Sequence, residues 1–139
     1  MSFHEELLPL LRGDLAAALS LPPEAIYAGD QPQRVTRQGL EIWVEAGPGG
    51  AALAGALTVH PYSLHVRLKT RRGPNLTGAD EISAIKRALE TIRSRYDGTR
   101  PFAASLRSLI AAQVEGESVS ADSESGVLEG NLQLKLLEA

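Results

Sequence analysis

A few short patterns in this sequence have the residue types that chemistry requires. Ser83-Ala84-Ile85-Lys86 sets a lysine one helical turn from a serine, the spacing at which a lysine takes the proton of a serine nucleophile. The S-D-N and K-T-G companions of that pattern do not occur in the chain, so an exposed helix face accounts for it. Gly47-Pro48-Gly49-Gly50 follows a strand-like stretch, as a phosphate loop does, but no helical pattern, Lys or Ser/Thr stands at the required place after it. His4, His60 and His65 are the only histidines and there is no cysteine, so a metal would need them to converge with carboxylates. His60 and His65 lie five apart on a strand, hence on opposite faces unless a bulge rotates one. Glu115 with Glu117, and Asp122 with Glu124, are close enough to form an acid/base pair, yet they stand in polar Ser/Gly sequence with nothing apolar to raise a pKa. Asn75-Leu76-Thr77 has the form of a glycosylation sequon and, without a secretory signal, reads as a loop ending in a helix cap. The expectation is a protein that is not an enzyme, with no catalytic residue, no cofactor and no metal.

Composition sets the frame for these residues. The chain has 139 residues, 43% hydrophobic and 22% charged, which suits a single folded domain over 1–139 and not a disordered segment. A formal charge of -3 excludes a surface that is basic all over, so contact with nucleic acid or an anionic membrane would have to be local. No run of 18 apolar residues occurs and the first residues lack the form of a signal peptide, so no membrane is expected and assembly in a cytoplasm is.

The elements that would position such residues follow from periodicity. Ser2 and Glu5 have capping-box spacing, and Leu8, Leu11, Leu15 and Leu19 recur at helical intervals, which predicts a helix over about residues 3–20 that kinks or starts at Pro9. Residues 21–39 hold three prolines and two glycines and read as a meandering connection. Leu40, Ile42 and Val44 alternate with Glu41, Trp43 and Glu45, a half-buried strand. A flexible Gly/Ala-rich hairpin tip at 47–55 leads to a second strand from about residue 56. Its apolar phase switches from Leu57 and Val59 to Leu64, Val66 and Leu68, which predicts a bulge or break near Pro61. Thr77 caps a helix of about six turns carrying Ile82, Ile85, Leu89, Ile92 and Tyr96, stopped at Asp97-Gly98. Pro101 opens a shorter third helix with Leu106, Leu109 and Ile110 inward. Leu128, Leu132, Leu134 and Leu136 alternate with polar residues as a final strand, paired in a hairpin with residues 113–121. The expected fold class is α+β, an antiparallel or mixed β-sheet with two long helices packed on one face, in the order α-β-β-α-(α)-β-β.

Charge is distributed unevenly over that frame. His65, Arg67, Lys69 and Arg71 share the outward face of the second strand, with Arg72 just beyond, while Glu41, Trp43 and Glu45 share that of the first. Cross-strand ion pairs are one reading of this. Residues 113–130 carry Glu115, Glu117, Asp122, Glu124 and Glu129 and no Lys or Arg, so the chain has one basic and one acidic strip. Opposite strips suit head-to-tail contacts that close into rings, and Trp43 among acids fits an interface as well. Trp43, Arg67, Lys69, Arg71 and Arg72 are therefore candidate subunit or partner contacts, and Glu115, Glu117, Asp122 and Glu124 a candidate acidic interface.

The order of elements, with Tyr27-Ala28-Gly29-Asp30 in a Pro-rich connection, Leu68-Lys69-Thr70-Arg71-Arg72-Gly73 ending a strand, the helix from Ala79-Asp80-Glu81-Ile82 to Ile92 and a closing hairpin, resembles the tail terminator (tail completion) proteins of long-tailed phages and phage-like particles. The likeness spans about residues 3–138 and rests on architecture without an invariant motif. It implies a virion protein of the tail or neck: a hexameric ring that caps the tail tube, ends its polymerisation and meets the head-tail connector protein. DNA would pass through the lumen, lined by acids such as Glu115 and Glu117. Other readings are a head-closure or connector neck protein, a small nucleic-acid-binding module using Arg67 to Arg72, or a small enzyme of unrecognised type.

Overall fold

The computed structural model describes residues 3–28, 39–47, 51–52, 57–69, 79–122 and 127–139. Helix α1 spans Phe3–Leu19 and α2 spans Ala79–Tyr96. The strands are β1 (Ile26–Ala28), β2 (Gly39–Ala46), β3 (Ala51–Ala52), β4 (Thr58–Lys69), β5 (Leu109–Asp122) and β6 (Val127–Glu138). They form one mixed sheet in the order β1-β2-β4-β6-β5, with β3 on β4; β1 runs parallel to β2 and every other pairing is antiparallel.

Alternation in the strands puts Ile42 and Val44 of β2, Tyr62, Leu64 and Val66 of β4, and Leu128, Leu132, Leu134 and Leu136 of β6 into one buried cluster. Leu7, Leu11 and Leu15 of α1 and Ile85, Leu89, Ile92 and Tyr96 of α2 join the same cluster, each helix contributing the stripe that its 3.6-residue period aligns. Burying each of these aliphatic side chains is worth roughly 1.5–3 kcal/mol. Helix α2 lies so close to β6 that a Cβ at Gly130 would stand 2.7 Å from Ile85 Cγ2 and 2.8 Å from Leu89 Cδ1.

The two helices are also clasped by polar groups. Arg95 Nε donates to Asp14 Oδ2 at 3.0 Å, Arg95 Nη2 donates to Asp14 Oδ1, and the Tyr96 hydroxyl donates to Asp14 Oδ2. Burial alone would raise the Asp14 pKa; the hydrogen bonds from Arg95 and Tyr96 and the Arg95 charge outweigh it and hold the carboxyl below its ordinary value. Burial and the bond to Asp14 push the Tyr96 phenol well up.

Several expectations are corrected. The connection after α1 contains a turn of 3-10 helix at Pro23–Ala25 and then β1, which pairs in parallel with β2. Pro9 neither starts nor ends α1, and it lies on the exposed side of the helix. No bulge forms at Pro61, because β4 pairs with β6 from Thr58↔Glu138 to Lys69↔Val127 without a register shift. The side of Pro61 that lacks an N–H faces the end of β2, which stops at Ala46, and there the Pro61 carbonyl accepts the Gly47 N–H at 2.8 Å. Leu57 and Val59 are half-buried, so the change of apolar phase reflects two partly covered faces. The bulges lie in β5 instead, between Leu109 and Ala111 and between Glu115 and Glu117, where Gly116 takes a φ of 68°.

Helix α2 has 18 residues, about five turns and not six. The third helix does not form. Phe102 has a φ of 57°, which breaks a right-handed helix, and the segment turns back so that Leu106 N–H meets Phe102 O at 2.7 Å. Leu106 and Leu109 are buried all the same, and Leu109 already belongs to β5, which is longer than the expected 113–121. Most of the tip at 47–55, the Thr77 cap and the Arg72-Gly73-Pro74-Asn75 loop lie outside the described residues.

Two outcomes test this packing. Gly130→Val drives two methyls into α2, so urea unfolding should show a loss on the order of 1–3 kcal/mol. Asp14→Asn should cost about 1–2 kcal/mol at pH 7, a charged hydrogen-bond effect reduced by partial solvent screening. Because the folded-state pKa of Asp14 is depressed, its contribution is present above the unfolded value of about 3.8 and is lost as pH falls through the folded one. Wild type and variant should therefore converge in stability toward pH 2.

Candidate functional site

The sheet face turned away from the buried cluster carries Glu41, Trp43 and Glu45 of β2 and His65 and Arg67 of β4. Register pairs Glu41 with Arg67, Trp43 with His65, and Arg67 in turn with Glu129 on β6. The Trp43 and His65 rings stack at 4.5 Å, and the Arg67 guanidinium stands 5.3 Å from the centre of the Trp43 ring. His65 Nδ1 lies 2.9 Å from Glu129 Oε1 and also meets Asn131 Oδ1; its Nε2 lies 3.3 Å from Glu45 Oε2. Only a ring protonated on both nitrogens donates to Glu129 and Glu45 together. Arg67 Nε is 3.9 Å from the same Glu129 oxygen.

These contacts change the placement of the candidate residues. Trp43 is 8% exposed and Arg67 5%, so neither stands in open solvent as alternation alone implied. Each lies under its cross-strand neighbours. The Lys69 backbone ends β4, while Arg71 and Arg72 lie outside the described residues. Of the acidic strip, Glu115 pairs with Lys135 at 2.8 Å and Glu117 reaches Arg93 of α2 at 3.1 Å. The Asp122 backbone is in β5 and Glu124 lies outside the described residues. Of the candidate charges whose side chains are described, Arg67, Glu115 and Glu117 each meet an opposite charge within the subunit. Glu129 belongs to the acidic strip of the sequence but not to the candidate contacts, since only register reveals that it sits beside both Arg67 and His65.

Among the described residues, Ser108, Glu138 and His60 form a Ser/His/Glu constellation linked by hydrogen bonds. Ser108 Oγ donates to Glu138 Oε2 at 2.9 Å, and Glu138 Oε1 lies 3.0 Å from His60 Nε2. Nucleophilic catalysis needs the hydroxyl on the imidazole; here both meet the carboxylate from opposite sides, and Phe3 stacks on the His60 ring at 4.0 Å. The arrangement ties α1, β4 and the β5 entrance to the chain end. Nearby, burial and the Glu138 charge push the Tyr62 phenol up to about 12, and its oxygen lies 3.2 Å from His4 Nδ1. His60 and His65 occupy opposite faces, as their spacing requires without a bulge. Among the described residues no group of three or more His, Asp or Glu could hold a metal ion, and no helix is long and apolar enough to cross a membrane.

Among the surface concavities of the described residues, two border an edge strand. A groove of about 390 Å³ between α1 and the β1 edge is lined by Leu8, Leu11, Arg12, Pro23, Ile26 and Val44. Arg12 Nε closes its rim by donating to Pro23 O and Ile26 O. A second, of about 620 Å³, runs between α2 and β5 beside Lys86, Glu90, Arg93, Glu117 and Val119.

No protein-family model and no curated protein sequence matches the chain. Among solved structures, a chain of one described as "Virion of native gene transfer agent (GTA) particle" superposes with a TM-score of 0.54, covering 90% of this chain and 84% of that one at 18% identity. The two share a fold over nearly their full lengths.

The Glu129 contacts make a direct prediction. Glu129→Ala leaves a largely buried guanidinium and His65 without that carboxylate, and thermal or urea unfolding should show a loss on the order of 1–3 kcal/mol. Glu115→Ala, whose ion pair is exposed, should change stability by less than about 0.5 kcal/mol.

Proposed function

We propose that this chain is a structural subunit of a phage-like particle, and within it the ring-forming terminator that caps the tail tube, stops its growth and helps join tail to head. The observation that carries this reading is the near full-length fold likeness to a chain of a gene transfer agent virion, at 90% and 84% coverage. The sequence resemblance to tail terminator proteins, drawn from element order alone, points the same way. Fold likeness at 18% identity is an analogy for function, so the role stands or falls on assembly behaviour. The partners proposed are further copies of this chain, the tail tube protein and the connector.

The placement of charge favours assembly over nucleic-acid binding. A phosphate-binding strip needs cations free to meet the backbone. Arg67, at the centre of the proposed strip, is 5% exposed and lies against Trp43 and Glu129. Among the described residues Ser108 meets a carboxylate and not an imidazole, which does not favour the enzyme reading.

The test is electron microscopy and native mass measurement of the purified chain, alone and with polymerising tail tube protein. Rings seated on tube ends, with shorter tubes as the chain is added, are the expected result. Binding to connector rings with no effect on tubes would move the protein to head closure. A chain that ignores both would overturn the reading.

A further inference from the structure

Strand β5 is an edge of the sheet, and its outer edge is treated differently in its two halves. In the first half the outward groups of Leu109, Ala112 and Val114 find partners in the preceding connection. Arg100 Nε donates to Leu109 O at 3.0 Å, Ala112 N–H to Thr99 O at 2.8 Å, Gly98 N–H to Ala112 O at 2.9 Å, and Val114 N–H to Asp97 Oδ1 at 3.0 Å. The α2–β5 connection thus covers this half, one of the ordinary ways in which a sheet edge is protected. The opposite edge of the sheet is short, and Ile26 of β1 has its N–H on Pro23 O and its carbonyl on Arg12.

Beyond the Gly116 bulge that cover ends. Ala112 and Val114 face Leu136 and Leu134 of β6 with their backbone groups turned outward; the residues that face Leu132, Gly130 and Leu128 have the same orientation. These are Glu117, Val119 and Ala121, and among the described residues no backbone group meets them on that side. Val119 is 37% exposed, one of two large apolar residues so exposed among the described residues, and it borders the groove between α2 and β5.

We infer that the Glu117–Asp122 edge of β5 is a strand-pairing surface whose occupant is the same edge of a second copy of this chain, antiparallel and centred on Val119. The sequence is self-complementary about that residue. Val119 meets Val119 of the other copy, Ser118 meets Ser120, and Glu117 meets Ala121, so no carboxylate is set opposite another in those pairs. The repulsion between two acidic strands is further reduced because Glu115 and Glu117 are already paired with Lys135 and Arg93 of their own subunit. Each copy would turn its Val119 side chain toward the other's α2–β5 groove. A twofold contact of this kind closes on itself, so a ring needs a separate head-to-tail surface. The inference does not rest on the virion reading: a dimer of this form in a protein that never enters a particle would keep it.

The test uses the full chain. Val119→Pro removes an outward N–H that the β5–β6 ladder does not use, a place where an edge strand accepts proline, so the variant should fold with a circular dichroism spectrum like the wild type. Sedimentation of the wild type over a range of concentrations should show dimers, weakened at least tenfold in Val119→Pro. Hydrogen exchange supplies the second arm: the Glu117, Val119 and Ala121 amides should slow as concentration rises. If Val119→Pro fails to fold, Val119→Lys takes its place in sedimentation and the exchange arm stands alone. A wild type that stays monomeric, a variant that dimerises as well as the wild type, or protection of these amides only when a different protein is added would each overturn the inference.

Discussion

The twelve-residue antiparallel ladder between β4 and β6 is the constraint from which the rest of the molecule follows. It joins Thr58 to Glu138 and holds one register throughout, so every even-numbered residue of both strands turns to the helices and every odd-numbered one away. A slip by one residue would exchange the two faces and bury Arg67 and Glu129 among leucines. Register is fixed on the helix side by Leu64, Val66 and Leu132, and at Gly130 by the close approach of Ile85 and Leu89. On the other side the same register sets His65 beside Glu129 and Asn131. One alignment therefore decides both the apolar core and the polar cluster behind it.

Local pattern made most of the scaffold legible. The leucines of β6 and the Ile85-Leu89-Ile92-Tyr96 stripe of α2 announce their periods without help, because each element buries one continuous face. The failures share a cause. Pro61 looked like a break because sequence shows a missing N–H but not that the neighbouring strand has already ended at Ala46. Residues 101–108 have helix-compatible spacing, yet the left-handed Phe102 and the Arg100 bonds to Leu109 and Arg107 carbonyls turn them into a loop. Trp43 and Arg67 were correctly placed on one face, but their burial depends on which residues β2 and β6 bring beside them, and register between distant strands is not written in either strand alone. The Asp14 clasp to Arg95 and Tyr96 was invisible for the same reason.

Functionally, the described part of the molecule reads as a scaffold that pairs several of its charges internally and leaves a specific stretch of sheet edge bare. Histidines, carboxylates and Ser108 are used to tie chain segments together: His60 and Glu138 at the chain end, His65 and Glu129 across three strands. An assembly subunit requires such rigidity, because its contacts repeat from copy to copy and any strain in one is repeated in all. The fold is shared with a chain of a virion structure, and the assembly role proposed above would use such rigidity.

Tail length is the quantity that bears on the proposed role most directly. A protein that ends tube polymerisation predicts that particles produced without this chain carry tails of uncontrolled length and heads left unjoined, and that supplying the chain restores one length. Tails of normal, uniform length joined to heads in its absence would contradict the role.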